Sequence, residues 1–160
     1  MPQINKWIPE LLQKSLSEGS CNHMRRLQRS REDLAPVVLV IDDNPAIRDM
    51  VSWALELDGY DAVEAAEGRE ALNWMQNAEL EGRYPAVILL DLAMPCMDGF
   101  TFLKHLQAQG QMSSCPYPSP VIIVLTASSP VPDASELGVE QVVEKPFHAR
   151  DVLNLVRQFV

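Results

Sequence analysis

The sequence predicts an α/β fold: a doubly wound parallel sheet of five strands, covered by helices on both faces. Three observations predict it. Short aliphatic runs recur along the chain, helical patterns separate them, and four of the runs end in polar or charged residues. The 160 residues suit one domain of ordinary size with a tail.

The first strand is Val37–Ile41, five aliphatic residues too few for a helix and rich in β-branching, as in a strand buried on both sides. Asn44 and Pro45 then supply an N-cap and a first-turn proline. Ile47, Met50, Val51, Ala54 and Leu55 form the apolar stripe of the helix, and Gly59 ends it. A weaker strand over residues 60–64 leads to a helix over residues 69–80 carrying Ala71, Leu72, Met75 and Ala78, which closes near Gly82. Residues 86–90 read as the third strand. A helix over residues 100–106 follows, with Phe102, Leu103 and Leu106 on its inner side. A Pro/Ser/Gln-rich connection, residues 107–119, reaches the fourth strand, residues 121–125. Pro130 and Pro132 crowd the next stretch, a fifth strand spans residues 139–143, and the last helix is Ala149–Phe159. Trp53 and Trp74 fall within helical patterns and are expected to pack, and His105 and His148 to be partly exposed.

Composition narrows the function classes. With 47% hydrophobic and 22% charged residues the chain forms a globular core and is not a disordered or low-complexity segment. Thirteen basic against 22 acidic residues leave a net charge of −9, which would be repelled by a phosphate backbone, so no nucleic-acid partner is expected. The charge is uneven: residues 1–36 hold six basic and four acidic side chains, so the acidic excess lies in the remainder. Residues 1–35 read as an N-terminal extension, a short amphipathic helix (Ile4, Ile8, Leu11, Leu12, with Trp7 and Leu16 beside them) followed by a basic linker with Arg25, Arg26, Arg29 and Arg31. Met24 offers an alternative start. Residues 36–160 are the folded domain. No apolar run of about 20 residues or export signal is evident, so neither a membrane partner nor secretion is expected. Cys21, Cys96 and Cys115 form no CxxC pair, which fits a reducing cytoplasm.

In an open parallel sheet, ligand sites form beyond the carboxyl ends of the strands. Strand one ends in Asp42-Asp43, strand three in Asp91, strand four in Thr126, and strand five in Glu144-Lys145-Pro146-Phe147. Three carboxylates brought together repel and need a cation. Oxygen ligands without His or Cys select a hard ion, and Mg²⁺ fits two direct carboxylates plus a backbone carbonyl. Beside Mg²⁺ and Lys145, Asp91 sits in a field that would stabilise an added phosphoryl group, to which Thr126 can donate a hydrogen bond. Taken alone, Asp42-Asp43 reads equally well as a polar turn at a helix N-terminus, where the dipole favours acids. With Asp91 and Lys145 at matching strand ends, the site reading wins. Cys96 reads as a plain thiol, and His23, His105 and His148 show no ligand spacing.

Those residues carry a resemblance. VLVIDDNPAIR, DLAMPCMDGF, LTAS and EKPF, in this order at successive strand ends, resemble the receiver domain of response regulators in two-component signal transduction systems, from about Pro36 to Val160. The resemblance implies a flavodoxin-like sheet of strand order 2-1-3-4-5, with Asp91 as phosphoacceptor and Asp42 and Asp43 as the metal-binding pair. Asp43 would hold Mg²⁺ directly and Asp42 largely through water. The backbone carbonyl of Ala93 would be the third protein ligand, Thr126 the switch hydroxyl, Lys145 the phosphate partner, and Lys145-Pro146 a cis-proline turn.

Three features depart from the family pattern. Val142 stands where the family has an aromatic residue. The span from Thr126 to Lys145 is short, and two prolines fall where the fourth helix should begin, which predicts a shortened fourth helix. Ala93 and Ser128 occupy places that tune acyl-phosphate lifetime in the family. The resulting expectation is a stand-alone, non-enzymatic receiver that acts as a phosphorelay intermediate, phosphate sink or switch. Its phosphate would come from a sensor histidine kinase or phosphotransfer protein, and it would act on a downstream protein target; a homodimer is compatible with it. The alternatives are a degenerate receiver working as a phosphorylation-independent interaction module and a Mg²⁺-dependent phosphatase, which would want an acid where Ala93 stands.

Overall fold

The computed structural model describes residues 34–112 and 117–160. The helix and basic linker expected within residues 1–33 lie outside the described residues, as does part of the connection before the fourth strand. Ten elements alternate along the chain: β1 (Val37–Ile41), α1 (Pro45–Leu57), β2 (Asp61–Ala65), α2 (Gly68–Leu80), β3 (Val87–Asp91), α3 (Gly99–Met112), β4 (Val121–Thr126), α4 (Ala134–Leu137), β5 (Gln141–Glu144) and α5 (Ala149–Phe159). The five strands are all parallel and lie in the order β2-β1-β3-β4-β5.

Alternate residues of the central strands feed two cores, because successive side chains on a strand point to opposite faces. Val38, Val40, Val87, Leu89, Ile123 and Leu125 meet Val51 and Leu55 of α1 and Val152 and Val156 of α5. Leu39, Ile41, Ile88, Leu90 and Val124 meet Ala71 of α2 and Phe102 and Leu103 of α3. This double covering is why β1 and β3 are buried along their whole length.

Local chemistry sets most boundaries. Asn44 caps α1 by accepting from the Ala46 N–H at 3.0 Å, Pro45 opens the helix, and Gly59, at φ +90°, lets the chain leave it. Asp133 caps α4 by accepting from the Ser135 N–H, but the helix lasts only four residues. Pro130 and Pro132, just ahead of it, cannot donate to a helix ladder. Its shortness matches the expectation.

Several expectations need correction. β2 and β5 begin one and two residues later than the apolar patterns suggest; both are edge strands with half-exposed residues, so their patterns are weak. The third helix does not stop at Leu106 but runs through Met112. Gln, Ala and Met are good helix formers, and residues 107–110 are exposed. Trp53 does not pack: it is 66% exposed. At about 100° per residue it stands about 200° from both Val51 and Leu55, on the far side of α1. Met50 also lies on the exposed flank, whereas Trp74 is partly buried against the second core. His105 and His148 are both exposed.

Candidate functional site

The strand order reverses direction between β1 and β3, and that is where an open parallel sheet leaves a crevice at its carboxyl edge. Register steps the polar residues along that edge. Ile41 pairs with Leu90, which sets Asp42 level with Asp91; Asp91 pairs with Leu125, and Thr126 pairs with Glu144, next to Lys145. Residues more than a hundred positions apart thus share one site.

Carboxylate oxygens of Asp42, Asp43 and Asp91 all lie within 4.8 Å of one another. Asp42 is fully buried and Asp91 is 3% exposed, while Asp43 is open to solvent on a cleft lined by Glu67, Arg69, Glu70, Asn73 and Pro95. Lys145 reaches in from the end of β5 with its side chain 16% exposed, its Nζ 2.7 Å from Asp42 Oδ2 and 3.6 Å from Asp91 Oδ2. Its own backbone N–H donates to the Thr126 carbonyl at 2.7 Å, and the peptide bond to Pro146 is cis. Glu144, the last residue of β5, is exposed.

Backbone donors hold these carboxylates in place. The Asn44 N–H donates to Asp42 Oδ1 at 2.9 Å and the Ala93 N–H to Asp91 Oδ1 at 3.2 Å. Burial pushes the Asp91 carboxyl up to about 6; Lys145 and the Ala93 N–H pull it down, and the neighbouring Asp42 and Asp43 push it further up. Thr126 is fully buried, and its Oγ1 accepts from the Ser128 N–H at 3.0 Å, a bond that uses an oxygen lone pair and not the hydroxyl proton. Ala93 and Ser128 are exposed beside the site, and Val142 is half-buried against the second core, as are Ala134 and Leu137 of α4.

Three further residues surround the site: Gly99, with Asp98, matches the family's site-shaping loop by resemblance, while Arg48 and Cys96 carry no site role from the sequence. Arg48, on α1, donates from Nη1 to the Asp42 backbone carbonyl at 2.7 Å and lies 3.5 Å by Nε from Glu64 Oε2. Gly99 lies against the loop after β3, where a Cβ would come 2.5 Å from the Asp91 carbonyl oxygen. Cys96, exposed in that loop, has φ +68° and sits at the centre of a turn closed by the Met97 N–H donating to the Pro95 carbonyl at 2.8 Å.

Comparisons with known proteins point to one family. The family model described as the response regulator receiver domain matches residues 38–157. The DNA-binding dual master transcriptional regulator RpaA of Synechocystis is 34% identical over 125 residues, covering 76% of this chain and 48% of its own. The phosphate regulon transcriptional regulatory protein PhoB of Escherichia coli is 30% identical over 127 residues, covering 78% of this chain and 51% of its own. This chain therefore spans about half the length of these curated relatives. Among solved structures, the chemotaxis protein CheY4 of Vibrio cholerae superposes with a TM-score of 0.64 at 32% identity, over 79% of this chain and 99% of that one. The response regulator TrrA of Thermotoga maritima, in complex with Mg²⁺ and BeF, gives 0.61 at 27% identity, over 78% of this chain and 99% of its own. By sheet order, acidic crevice and a family match covering most of its length, the chain belongs to the response regulator receiver domains.

Proposed function

We propose that residues 36–160 form a receiver that takes up a phosphoryl group on Asp91 with the help of Mg²⁺, and that residues 1–35 are an extension to it. The donor would be a sensor histidine kinase or a phosphotransfer protein, and the receiver would act on a downstream protein rather than as an enzyme. One observation carries the reading: three carboxylates within 4.8 Å of one another, with a single ammonium spanning two of them.

The residues present fit a hard cation, since all three donors are carboxylates and Asp43 is accessible. Asp43, Asp91 and the Ala93 carbonyl would hold Mg²⁺, with Asp42 acting through water. Bound there, the ion supplies positive charge to the transferring phosphoryl oxygens. One oxygen of ionised Asp91 attacks phosphorus as the bond to the donor's imidazole nitrogen breaks, and the electron pair leaves with that nitrogen. An acyl phosphate results. Lys145 faces the new phosphoryl oxygens, and the Thr126 hydroxyl donates to one of them. Phosphoryl transfer needs positioning and charge neutralisation more than covalent help, which such a crevice can supply.

The names of RpaA and PhoB describe DNA-binding and transcriptional regulators. In this chain the acidic excess lies beyond residue 36, which favours output through protein contacts. No helix among the described residues is long and apolar enough to cross a membrane. A cytoplasmic setting completes the proposal.

Incubation with Mg²⁺ and a small acyl-phosphate donor, resolved by phosphate-affinity electrophoresis, tests it. A retarded band is expected for the native chain and none for Asp91→Asn; identical lanes would refute phosphorylation at this site. A second reading, a degenerate receiver serving as an interaction module, is favoured by Val142 and by the four-residue α4. Mg²⁺ binding without phosphoryl uptake would identify it. A phosphatase is disfavoured because Ala93 offers no acid.

A further inference from the structure

Arg48 follows Asp42 by six positions, in the second turn of α1. Helical side chains lean toward the helix N-terminus, so its guanidinium reaches back over the acidic turn. There Nη1 donates to the Asp42 carbonyl at 2.7 Å, while Nε lies 3.5 Å from Glu64 Oε2 on β2. The Asp42 N–H donates to the Ala65 carbonyl at 3.2 Å, and Asp42 Oδ1 accepts from the Asn44 N–H. Both backbone groups of Asp42 and its carboxylate are thereby fixed, and Arg48 is the one side chain linking helix, turn and edge strand among these contacts.

We infer that Arg48 is a positioning residue for the acidic turn: by bonding the Asp42 carbonyl while anchored to Glu64, it holds the Asp42 and Asp43 carboxylates in the arrangement a divalent cation needs. This rests on the Mg²⁺ reading above. The ion pair with Glu64 is partly exposed, side chains 17% and 37%, and exposed pairs of this kind add little to stability, so its contribution is geometric. Outer partners that orient metal ligands commonly change affinity by about 10- to 100-fold when removed. The sign of the effect is diagnostic. A guanidinium acting only through its charge would repel the ion, and its removal would tighten Mg²⁺ binding; a guanidinium that positions ligands weakens binding when lost.

The test is calorimetric titration of the full chain with MgCl₂ for native protein, Arg48→Met, Arg48→Lys, Glu64→Gln and Asp43→Asn. Amide hydrogen exchange at Asn44 is measured alongside without metal. Arg48→Met should raise the dissociation constant about 10-fold, with Arg48→Lys between it and native and Glu64→Gln nearer to native. Asn44 exchange should quicken in the same order. An unchanged or tighter dissociation constant in folded Arg48→Met or Arg48→Lys overturns the inference. Should native protein bind Mg²⁺ no better than Asp43→Asn, the Mg²⁺ reading fails by itself. The Asn44 amide then decides: faster exchange in Arg48→Met keeps the positioning role, and unchanged exchange removes it.

Discussion

Lys145 bonds more closely to Asp42, at 2.7 Å, than to Asp91, at 3.6 Å, so the ammonium beside both acids is held mainly by the carboxylate proposed to reach Mg²⁺ largely through water. Asp91 is left the less compensated of the two buried acids.

Removing that ammonium leaves two buried carboxylates without a cation. Breaking one side of a buried pair costs about 3–5 kcal/mol, so Lys145→Met should lose roughly that much unfolding free energy in metal-free buffer near pH 8. Added Mg²⁺ should restore part of it. Urea unfolding with and without MgCl₂ measures both, and a midpoint equal to that of native protein would show that Lys145 is not the counter-charge.

Asp91 predicts an inverted pH dependence. Its carboxyl lies at about 6 in the folded chain against 3.8 for an ordinary aspartate, chiefly through burial, so the folded state binds the proton more tightly than the unfolded state. The stabilisation is complete below about 3.8 and is lost as pH rises through about 6. At about 1.4 kcal/mol per pH unit the span is worth about 3 kcal/mol. Asp91→Asn should therefore be more stable than native metal-free protein at pH 8 by roughly that amount, and the advantage should vanish by pH 4. Urea midpoints of both proteins across this range decide it; a constant difference would contradict it.

How much of this was legible in the sequence depends on where each signal resides. Val37–Ile41 and the run at β3 announce themselves because five consecutive aliphatic residues leave no helical alternative. The edge strands β2 and β5 are half-exposed, so their ends blur. Trp53 misleads because hydrophobicity alone does not reveal helical phase, and residues 107–112 mislead because a polar helix face has a linker's composition. Asp42, Asp43, Asp91, Thr126 and Lys145 were legible because each stands at the end of an aliphatic run or just beyond it. Gly99 was legible only as part of the loop that the resemblance matches, and Arg48 was not. Their importance lies in a carbonyl and a backbone contact that exist only once the chain has folded.

Cys96 holds φ +68°, a left-handed conformation that costs a side-chain-bearing residue and not glycine. It is exposed, so little packing would be lost by replacing it. Cys96→Gly should gain about 0.5–1 kcal/mol from relief of that strain, partly offset by the greater freedom of glycine in the unfolded chain. The denaturant midpoint measures this, and a loss of stability would mean that the thiol makes contacts worth more than the strain.

Gly99 couples the opening of α3 to the acid crevice. Its N–H donates to the Leu92 carbonyl at 3.0 Å, and a Cβ there would stand 2.5 Å from the Asp91 carbonyl oxygen and 2.7 Å from Leu92 Cα. Both are backbone atoms at the end of β3, which cannot swing aside as a flexible side chain would. Gly99→Ala must therefore push α3 away from the loop or drag Asp91 out of register with Asp42. Overpacking of this kind costs about 1–3 kcal/mol. The displacement should also weaken Mg²⁺ binding and slow phosphoryl uptake, even at temperatures where the variant is fully folded. Gly110, on the same helix, has open space where a Cβ would stand, with nothing within 4 Å, so Gly110→Ala provides the control and should be neutral or slightly stabilising. Thermal melts and Mg²⁺ titration of the two variants measure the contrast, and equal behaviour would show that the close approach at Gly99 does not shape the site.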